Sequence, residues 1–347
     1  MNLYPALRPL LFNMDAESSH DLVLKALSKV GKPIARFCPT PSSALLSQPI
    51  DLMGLRFPNP LGLAAGLDKN ASCAPAFASM GFGFLELGTV TPQPQPGNPK
   101  PRMFRIPESR SIINRMGFNS CGLETFLDNL QGNRPSGIIG INLGKNASTP
   151  ISGALDDYKL GMNAVYNHAD YITINISSPN TKNLRDLQEG NELQNLLHGI
   201  GQSARMLQDK HDRHVPIVVK IAPDLDSNAI AQIASNCVTN HIDGIIATNT
   251  TIARPSDLPR HIAAEAGGLS GALLTQHSTE VVYKLCQELG GEIPVIAAGG
   301  IMSGNDAVEK LQAGAQLVQI YTGFIYNGPK LITDILQSIR QSCHPQE

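Results

Sequence analysis

The chain has 347 residues, 42% hydrophobic and 16% charged, with a formal net charge of −2. That is enough apolar material for one large α/β domain or two smaller ones, and the near-neutral balance argues against a general nucleic-acid binder. Six scattered cysteines show neither a CxxC pair nor metal-ligand spacing, which predicts reduced thiols in a cytosol-facing protein and no metal site. The N-terminus lacks the long apolar run of a signal peptide, and no stretch approaches the ~18 apolar residues expected of a spanning helix.

Residues 1–36 carry five basic and three acidic groups, a net of +2 against −4 for the remainder. Leu3, Leu7, Leu10, Leu11 and Met14 fit one helical face. Leu22, Leu24, Leu27 and Val30 suggest a second helix after the capping candidates Ser18 and Ser19. Periodicity leaves two readings open: a helical pair packed on the floor of the following domain, or a basic, apolar pair resting in a membrane surface. The run Pro39-Thr40-Pro41-Ser42-Ser43 reads as a linker, and 51–57 as a short extra strand closing a barrel floor.

Beyond it, apolar β-prone runs recur at 61–65, 84–88, 138–143, 171–176, 216–221, 244–247, 294–298 and 317–321. Helix-like segments at 190–209, 227–240, 278–289 and 304–313 lie between the later runs. Continuous apolar strands are buried on both faces, as in a parallel sheet. Eight β–α alternations predict an α/β fold, a (β/α)8 barrel. The segment 91–107 holds six prolines in 17 residues and cannot be regular helix. It belongs to an insertion of about thirty residues, long enough to expect a functional role. Its end, Ile112-Ile113-Asn114-Arg115-Met116-Gly117-Phe118, suggests a lid or binding wall.

In such a barrel the chemistry belongs to the C-terminal ends of the strands. After the first strand, Ala64-Ala65-Gly66-Leu67-Asp68-Lys69 offers small residues for close ligand approach and a cation. GxxxxGK(S/T) is absent, so this is not a P-loop. Ala298-Gly299-Gly300-Ile301 and Tyr321-Thr322-Gly323, after the last two strands, predict a phosphate site for a sugar phosphate or a flavin mononucleotide. Gly267-Gly268-Leu269-Ser270-Gly271 adds another glycine-rich approach. Asn142, Lys220 and Thr248-Asn249-Thr250 are polar groups at strand ends. A lysine inside an apolar strand is costly unless it meets an anion. A reduced flavin is one such anion, and a buried carboxylate is the alternative; the apolar neighbours of Lys220 in sequence favour the flavin. Ser178, in Asn175-Ile176-Ser177-Ser178-Pro179-Asn180-Thr181, is the candidate base, although a serine hydroxyl needs an activating environment. Thr181 and a water could relay its proton, and a turn-stabilising motif is the alternative role. No histidine falls in a triad-like position, which argues against a hydrolase.

These motifs together resemble the dihydroorotate dehydrogenases. The resemblance rests on Ala64–Lys69, Gly88-Thr89-Val90-Thr91-Pro92 with its proline-rich continuation to Asn98, Asn114–Asn119, Asn175–Thr181, Lys220-Ile221-Ala222-Pro223-Asp224 and Ala247–Thr251, and runs from about residue 3 to about 340. A serine at the base position, where the soluble class carries cysteine, and the helical extension with Tyr4-Pro5 and Asp15–His20 resemble the quinone-dependent class. The resemblance implies a membrane-docking extension over 1–40 and an FMN-binding barrel over 41–347. It implies Ser178 as base, with Lys220 stabilising the reduced flavin. Ala65, Gly66, Leu67, Asp68, Lys69, Thr89, Asn142, Asn175, Thr248, Gly271, Gly300, Tyr321 and Thr322 would hold FMN. Lys69, Asn114, Asn175, Asn180, Asn249, Thr250 and the backbone of Arg115, Met116, Gly117 and Phe118 would hold dihydroorotate or orotate. His20, Arg105 and Tyr321 would line a tunnel for ubiquinone or menaquinone. A monomer on the cytoplasmic face of the inner membrane is expected.

Overall fold

The computed structural model describes residues 3–30, 38, 40–256 and 258–343. Lys32, Arg36 and the Pro39 end of the expected linker lie outside them. Thirteen strands occur among the described residues. A hairpin of β1 (Ile50–Leu52) and β2 (Leu55–Phe57) replaces the single extra strand expected at 51–57. Its turn uses Met53 and Gly54, both at positive φ.

Eight parallel strands close the barrel: β3 (Leu61–Leu63), β4 (Phe84–Val90), β7 (Ile138–Leu143), β8 (Tyr171–Asn175), β9 (Ile217–Ile221), β10 (Gly244–Ala247), β12 (Val295–Ala298) and β13 (Leu317–Ile320). They are the eight apolar runs of the sequence, and nearly every residue in them is buried. The four helices expected between the runs form over Gly190–His211, Ser227–Thr239, Thr275–Leu289 and Gly304–Gln312. Asp226 caps one of them by accepting from Ala229 N at 2.8 Å. Gly290, at φ +56°, ends another in the left-handed conformation that glycine adopts without strain.

The barrel floor is filled by alternating size. Gly62 on β3 and Gly140 on β7 leave room for Phe84 on β4 and Tyr171 on β8. A Cβ on Gly140 would fall 2.0 Å from the Tyr171 ring, and one on Gly62 would fall 2.3 Å from Phe84. Phe57 of the hairpin packs edge-on against Phe84, ring centroids 5.2 Å apart, and closes this end.

The proline-rich insertion forms β5 (Met103–Ile106) and β6 (Ser111–Asn114). These pair with β11 (Gly268–Gly271) in a separate antiparallel sheet of order β11-β6-β5. The expected wall is therefore built from two distant segments, and the glycine-rich run at 267–271 is one of its strands.

Helices α1 (Tyr4–Phe12) and α2 (Ala16–Val30) do not pack on the floor. α1 lies against the helix Thr322–Asn327 that follows β13, and α2 against β5 and the helix Ala74–Ala78. Both therefore sit at the C-terminal end of the barrel. Arg105 of β5 donates to Leu11 O at 3.1 Å and Met14 O at 2.8 Å, and its guanidinium lies 4.6 Å from the Phe12 ring centre. Glu17 and Arg102, both buried, pair at 2.7 Å. Leu3, Leu7, Leu10, Met14 and Leu22 remain 40–66% exposed, whereas Leu11 turns inward beside Phe12. The five apolar positions 3, 7, 10, 11 and 14 in and beside α1 thus divide between two faces rather than sharing one.

Candidate active site

A cavity enclosing about 1040 Å³, mouth included, opens at the C-terminal ends of the strands. Its floor is polar and interlocked. Glu86, fully buried on β4, accepts from Asn142 Nδ2 at 2.7 Å, Gln319 Nε2 at 2.8 Å and Tyr171 OH at 3.2 Å. Burial, and then the Glu86 charge, push the Tyr171 phenol well above its usual value, so it stays a donor. Thr89 donates to Asn142 Oδ1 at 2.6 Å, and Asn175 Nδ2 bonds both Thr89 and Asn142. Ser177 Oγ donates to Asn175 Oδ1 at 2.8 Å and accepts from Asn249 Nδ2 at 2.9 Å. These side chains come from β4, β7, β8, β13 and the loops after β8 and β10, so closing the barrel is what fixes them.

Lys220 lines the cavity, and its ammonium lies 3.6 Å from Glu86 Oε1. The apolar neighbours of Lys220 along the chain could not reveal this carboxylate, because it comes from across the barrel. Glu86 itself was not recognised. Its charge inside the apolar run Phe84-Leu85-Glu86-Leu87 was the signal that could have found it.

Ser178 is 5% exposed and faces the cavity; its Oγ accepts from Asn180 N at 3.2 Å. Asn180 Nδ2 donates to Asn114 O at 3.1 Å, and Asn98 Nδ2 ties Arg115 O and Asn180 O together at 2.9 and 3.3 Å. The loop carrying Ser178 is thereby fastened to the wall. Arg185 fixes its other side, donating to Ser177 O, Thr250 O and Asp224 Oδ2 at 3.0, 2.7 and 2.7 Å. Thr181 Oγ1 is buried without a partner among the described residues.

Most of the expected residues meet here. Ala65, Gly66, Lys69, Thr89, Asn175, Thr248, Gly271, Gly300, Tyr321 and Thr322 line the cavity, as do Asn114, Met116, Gly117, Phe118, Asn180, Asn249 and Thr250. Lys69 donates to Asn119 Oδ1 at 2.6 Å, and burial beside Arg102 lowers its pKa to about 8. Four expected residues lie off this cavity, Leu67, Asp68, Asn142 and Arg115, and Leu67 instead lines a second one. Asp68 is buried and accepts from Ser72 N and Cys73 N at 2.9 and 2.8 Å, so its carboxylate holds its own loop. Asn142 is fully buried behind the wall and bonds Thr89 and Asn175, which do line the cavity. The Arg115 side chain turns outward to Glu265 and the Phe104 ring.

A second cavity, of about 700 Å³, lies between α1, α2 and the barrel. It is mainly apolar, with His20 and Arg105 among its polar groups. Burial, then the Lys69 charge, push the His20 pKa down to about 4. Leu67 lines this cavity, while its neighbour Gly66 lines the first, so a single loop separates the two. Tyr321 belongs to the first cavity; its hydroxyl is 3.5 Å from Gly66 O on that partition.

The family model for dihydroorotate dehydrogenase matches residues 48–342. A Chromobacterium violaceum protein named dihydroorotate dehydrogenase (quinone) is 55% identical over 339 residues, covering 98% of each chain. A Methylobacillus flagellatus protein of the same name is 50% identical, covering 97% of this chain and 99% of its own. The crystal structure of the Eimeria tenella dihydroorotate dehydrogenase in complex with ferulenol superposes with a TM-score of 0.87 at 36% identity, over 98% of this chain and 94% of that one. The chain belongs to the quinone-dependent dihydroorotate dehydrogenases and is an oxidoreductase.

Proposed function

We propose that the protein oxidises (S)-dihydroorotate to orotate in pyrimidine biosynthesis, with FMN as cofactor and a membrane quinone, ubiquinone or menaquinone, as final acceptor. The observation that carries this reading is a single cavity facing Ser178, Lys220 and four asparagines, Asn114, Asn175, Asn180 and Asn249. The residues suit FMN. Gly271 and Gly300 sit at φ +96° and +74°, and a Cβ on either would collide with backbone, at 2.4 Å from Arg110 O or 2.3 Å from Thr275 Cα. Glycine at both positions lets the cavity wall pack against its own backbone while each residue still lines the cavity. Gln319 Oε1 is a buried acceptor without a partner among the described residues, on the cavity wall. It suits a ligand N–H, which an isoalloxazine ring carries.

When bound, FMN supplies the atom that accepts the hydride from C6 of the substrate and passes electrons on to the quinone. Ser178 removes the proton from C5. Asn114, Asn175, Asn180, Asn249 and Thr250 orient the substrate's amide edges and carboxylate, and Lys69 adds a cation to that pocket. Lys220, set against Glu86, holds a positive charge at the floor. Asn142 positions Thr89 and Asn175. Residues 1–40 form the docking extension on the 41–347 barrel. Their exposed Leu3, Leu7, Leu10, Met14 and Leu22 rest in the interfacial region of the cytoplasmic leaflet, and the second cavity admits the quinone past His20 and Arg105. No helix among the described residues is long and apolar enough to cross a membrane. The working unit is a monomer.

The test is an absorbance spectrum of the purified protein before and after anaerobic dihydroorotate, then after quinone. Flavin bands that bleach and then recover support the whole reading. Flavin that stays oxidised removes the substrate, and a well-folded colourless protein removes the cofactor.

A further inference from the structure

Lys310 has no exposed surface and lies on the helix Gly304–Gln312, outside every group discussed above. Its ammonium donates to Thr275 O at 3.1 Å, to Thr279 Oγ1 at 2.7 Å and to Ser278 Oγ. All three acceptors are neutral oxygens in the first turns of the helix Thr275–Leu289, and no carboxylate among the described residues pairs with it. Burying an ammonium without a counter-ion costs several kcal/mol, and neutral acceptors offset only part of that. Burial lowers its pKa to about 7, with Asp306 and Glu309 pulling the other way. The helix that carries it is held at its start, where Ser303 Oγ accepts from Asp306 N at 3.3 Å and donates to Asp306 Oδ2 at 2.8 Å. All three of its protons are donated to neutral oxygens, so an anion nearby would favour the charged form.

The acceptors of Lys310 lead to the cavity. Ser278 Oγ donates to Gly299 O at 2.8 Å and Thr275 Oγ1 to Gly300 O at 2.6 Å. Ser278 has one proton to give; Gly299 O is the nearer acceptor, at 2.8 Å against 3.2 Å for Thr275 O, and Lys310 donates to the same hydroxyl from the other side. The lysine thus holds in place the hydroxyl that bonds Gly299 O. In a trans peptide the N–H points opposite to the C=O. With the carbonyls of Gly299 and Gly300 tied back to the helix, the N–H groups of Gly300 and Ile301 face away from it. Both residues line the cavity, and neither N–H has a protein acceptor among the described residues. Two adjacent free amides with a buried cation behind them form an anion cradle.

We propose that Lys310 is a positioning residue for the flavin phosphate: through Ser278 and Thr275 it aims the Gly300 and Ile301 amides, and it places a side-chain amine with no paired carboxylate among the described residues behind them. The inference rests on the reading of the cavity as an FMN site. Its signature is selectivity for the phosphate, since riboflavin carries the same ring and side chain without that group.

The experiment titrates the full chain, freed of bound flavin, with FMN and with riboflavin, in the wild type, Lys310→Met, Lys310→Arg and Ser278→Ala. Lys310→Met is expected to bind FMN roughly tenfold more weakly, with riboflavin affinity unchanged and Lys310→Arg recovering part of the FMN preference. Equal weakening of both flavins makes Lys310 a merely structural residue and overturns the proposal, as does unchanged FMN binding. Should Lys310→Met fail to fold, Ser278→Ala decides: it keeps the charge and cuts the relay, so an undiminished preference for FMN overturns the proposal. A wild type that binds neither flavin refutes the cofactor reading itself, a separate failure.

Discussion

Ser178 faces the cavity with a hydroxyl that no histidine or carboxylate among the described residues touches, so its basicity depends on substrate, solvent or the unpartnered Thr181 hydroxyl nearby in the chain. A positioned general base contributes about 10²–10⁴ in rate. Ser178→Ala is therefore expected to keep the flavin bands and substrate binding while slowing flavin reduction by that order in stopped flow; unchanged reduction would reject Ser178 as base. Single residues such as Ser178, Asn249 and Lys69 were legible because a strand end in a barrel is a place where polar groups need a reason. Glu86 was not, because its partners Asn142, Tyr171, Lys220 and Gln319 come from four other strands. Asp68 failed in the opposite way: it belongs to a motif whose neighbours line the cavity, yet its carboxylate caps its own turn. Gly140 shows the same cross-strand logic in the core. Its absent Cβ is the space the Tyr171 ring fills, and Gly140→Ala is expected to lower stability by about 1–3 kcal/mol through overpacking, read as a lower denaturation midpoint.

Elements were read more securely than their attachments. All eight barrel strands follow from apolar runs, because a strand buried on both faces has to be apolar throughout. The sheet of β5, β6 and β11 could not be foreseen as one unit, since antiparallel pairing between distant segments leaves no local signature. The docking of α2 was equally hidden, and it depends on a buried ion pair. Burial raises the Glu17 pKa, but Arg102 and Lys100 outweigh it and hold the carboxyl below the usual value of 4.5. A depressed carboxylate contributes stability that is present above the unfolded pKa and is lost as pH falls through the folded one. Hydrogen exchange of α2 is accordingly expected to rise below about pH 4.5, ahead of the barrel, and Glu17→Gln should show the faster exchange already at neutral pH. Exchange in α2 that follows the barrel at every pH would show that the Glu17–Arg102 pair does not hold the helix.

At the scale of the whole molecule, two cavities share one thin partition, the Gly66–Leu67 step with Tyr321 beside it. One is polar-floored and built wholly by the barrel and its lid sheet; the other is largely apolar and has α1 and α2 as its outer wall. On the proposed function, that division would separate the two half-reactions in space. The walls of the first cavity contain no residue before Ala64. Removing residues 1–36 should therefore leave flavin binding and anaerobic reduction by dihydroorotate close to normal. The second cavity loses Tyr4, Leu11, Phe12, Ser19, His20 and the leucines of α2, so quinone turnover and vesicle binding should collapse together. A water-soluble one-electron acceptor, which needs no apolar channel, should still reoxidise the truncated protein. The link through Asn98, which joins Arg102 to the Asn180 loop, sets the one expected cost: Arg102 NH1 donates to Asn98 O at 2.8 Å, and without Glu17 that guanidinium loses its buried partner. A modest slowing of flavin reduction is thus compatible with the division. A truncated enzyme that reduces quinone at the full rate would place the acceptor route elsewhere, and one that no longer accepts electrons from dihydroorotate would make the helices part of the first half-reaction.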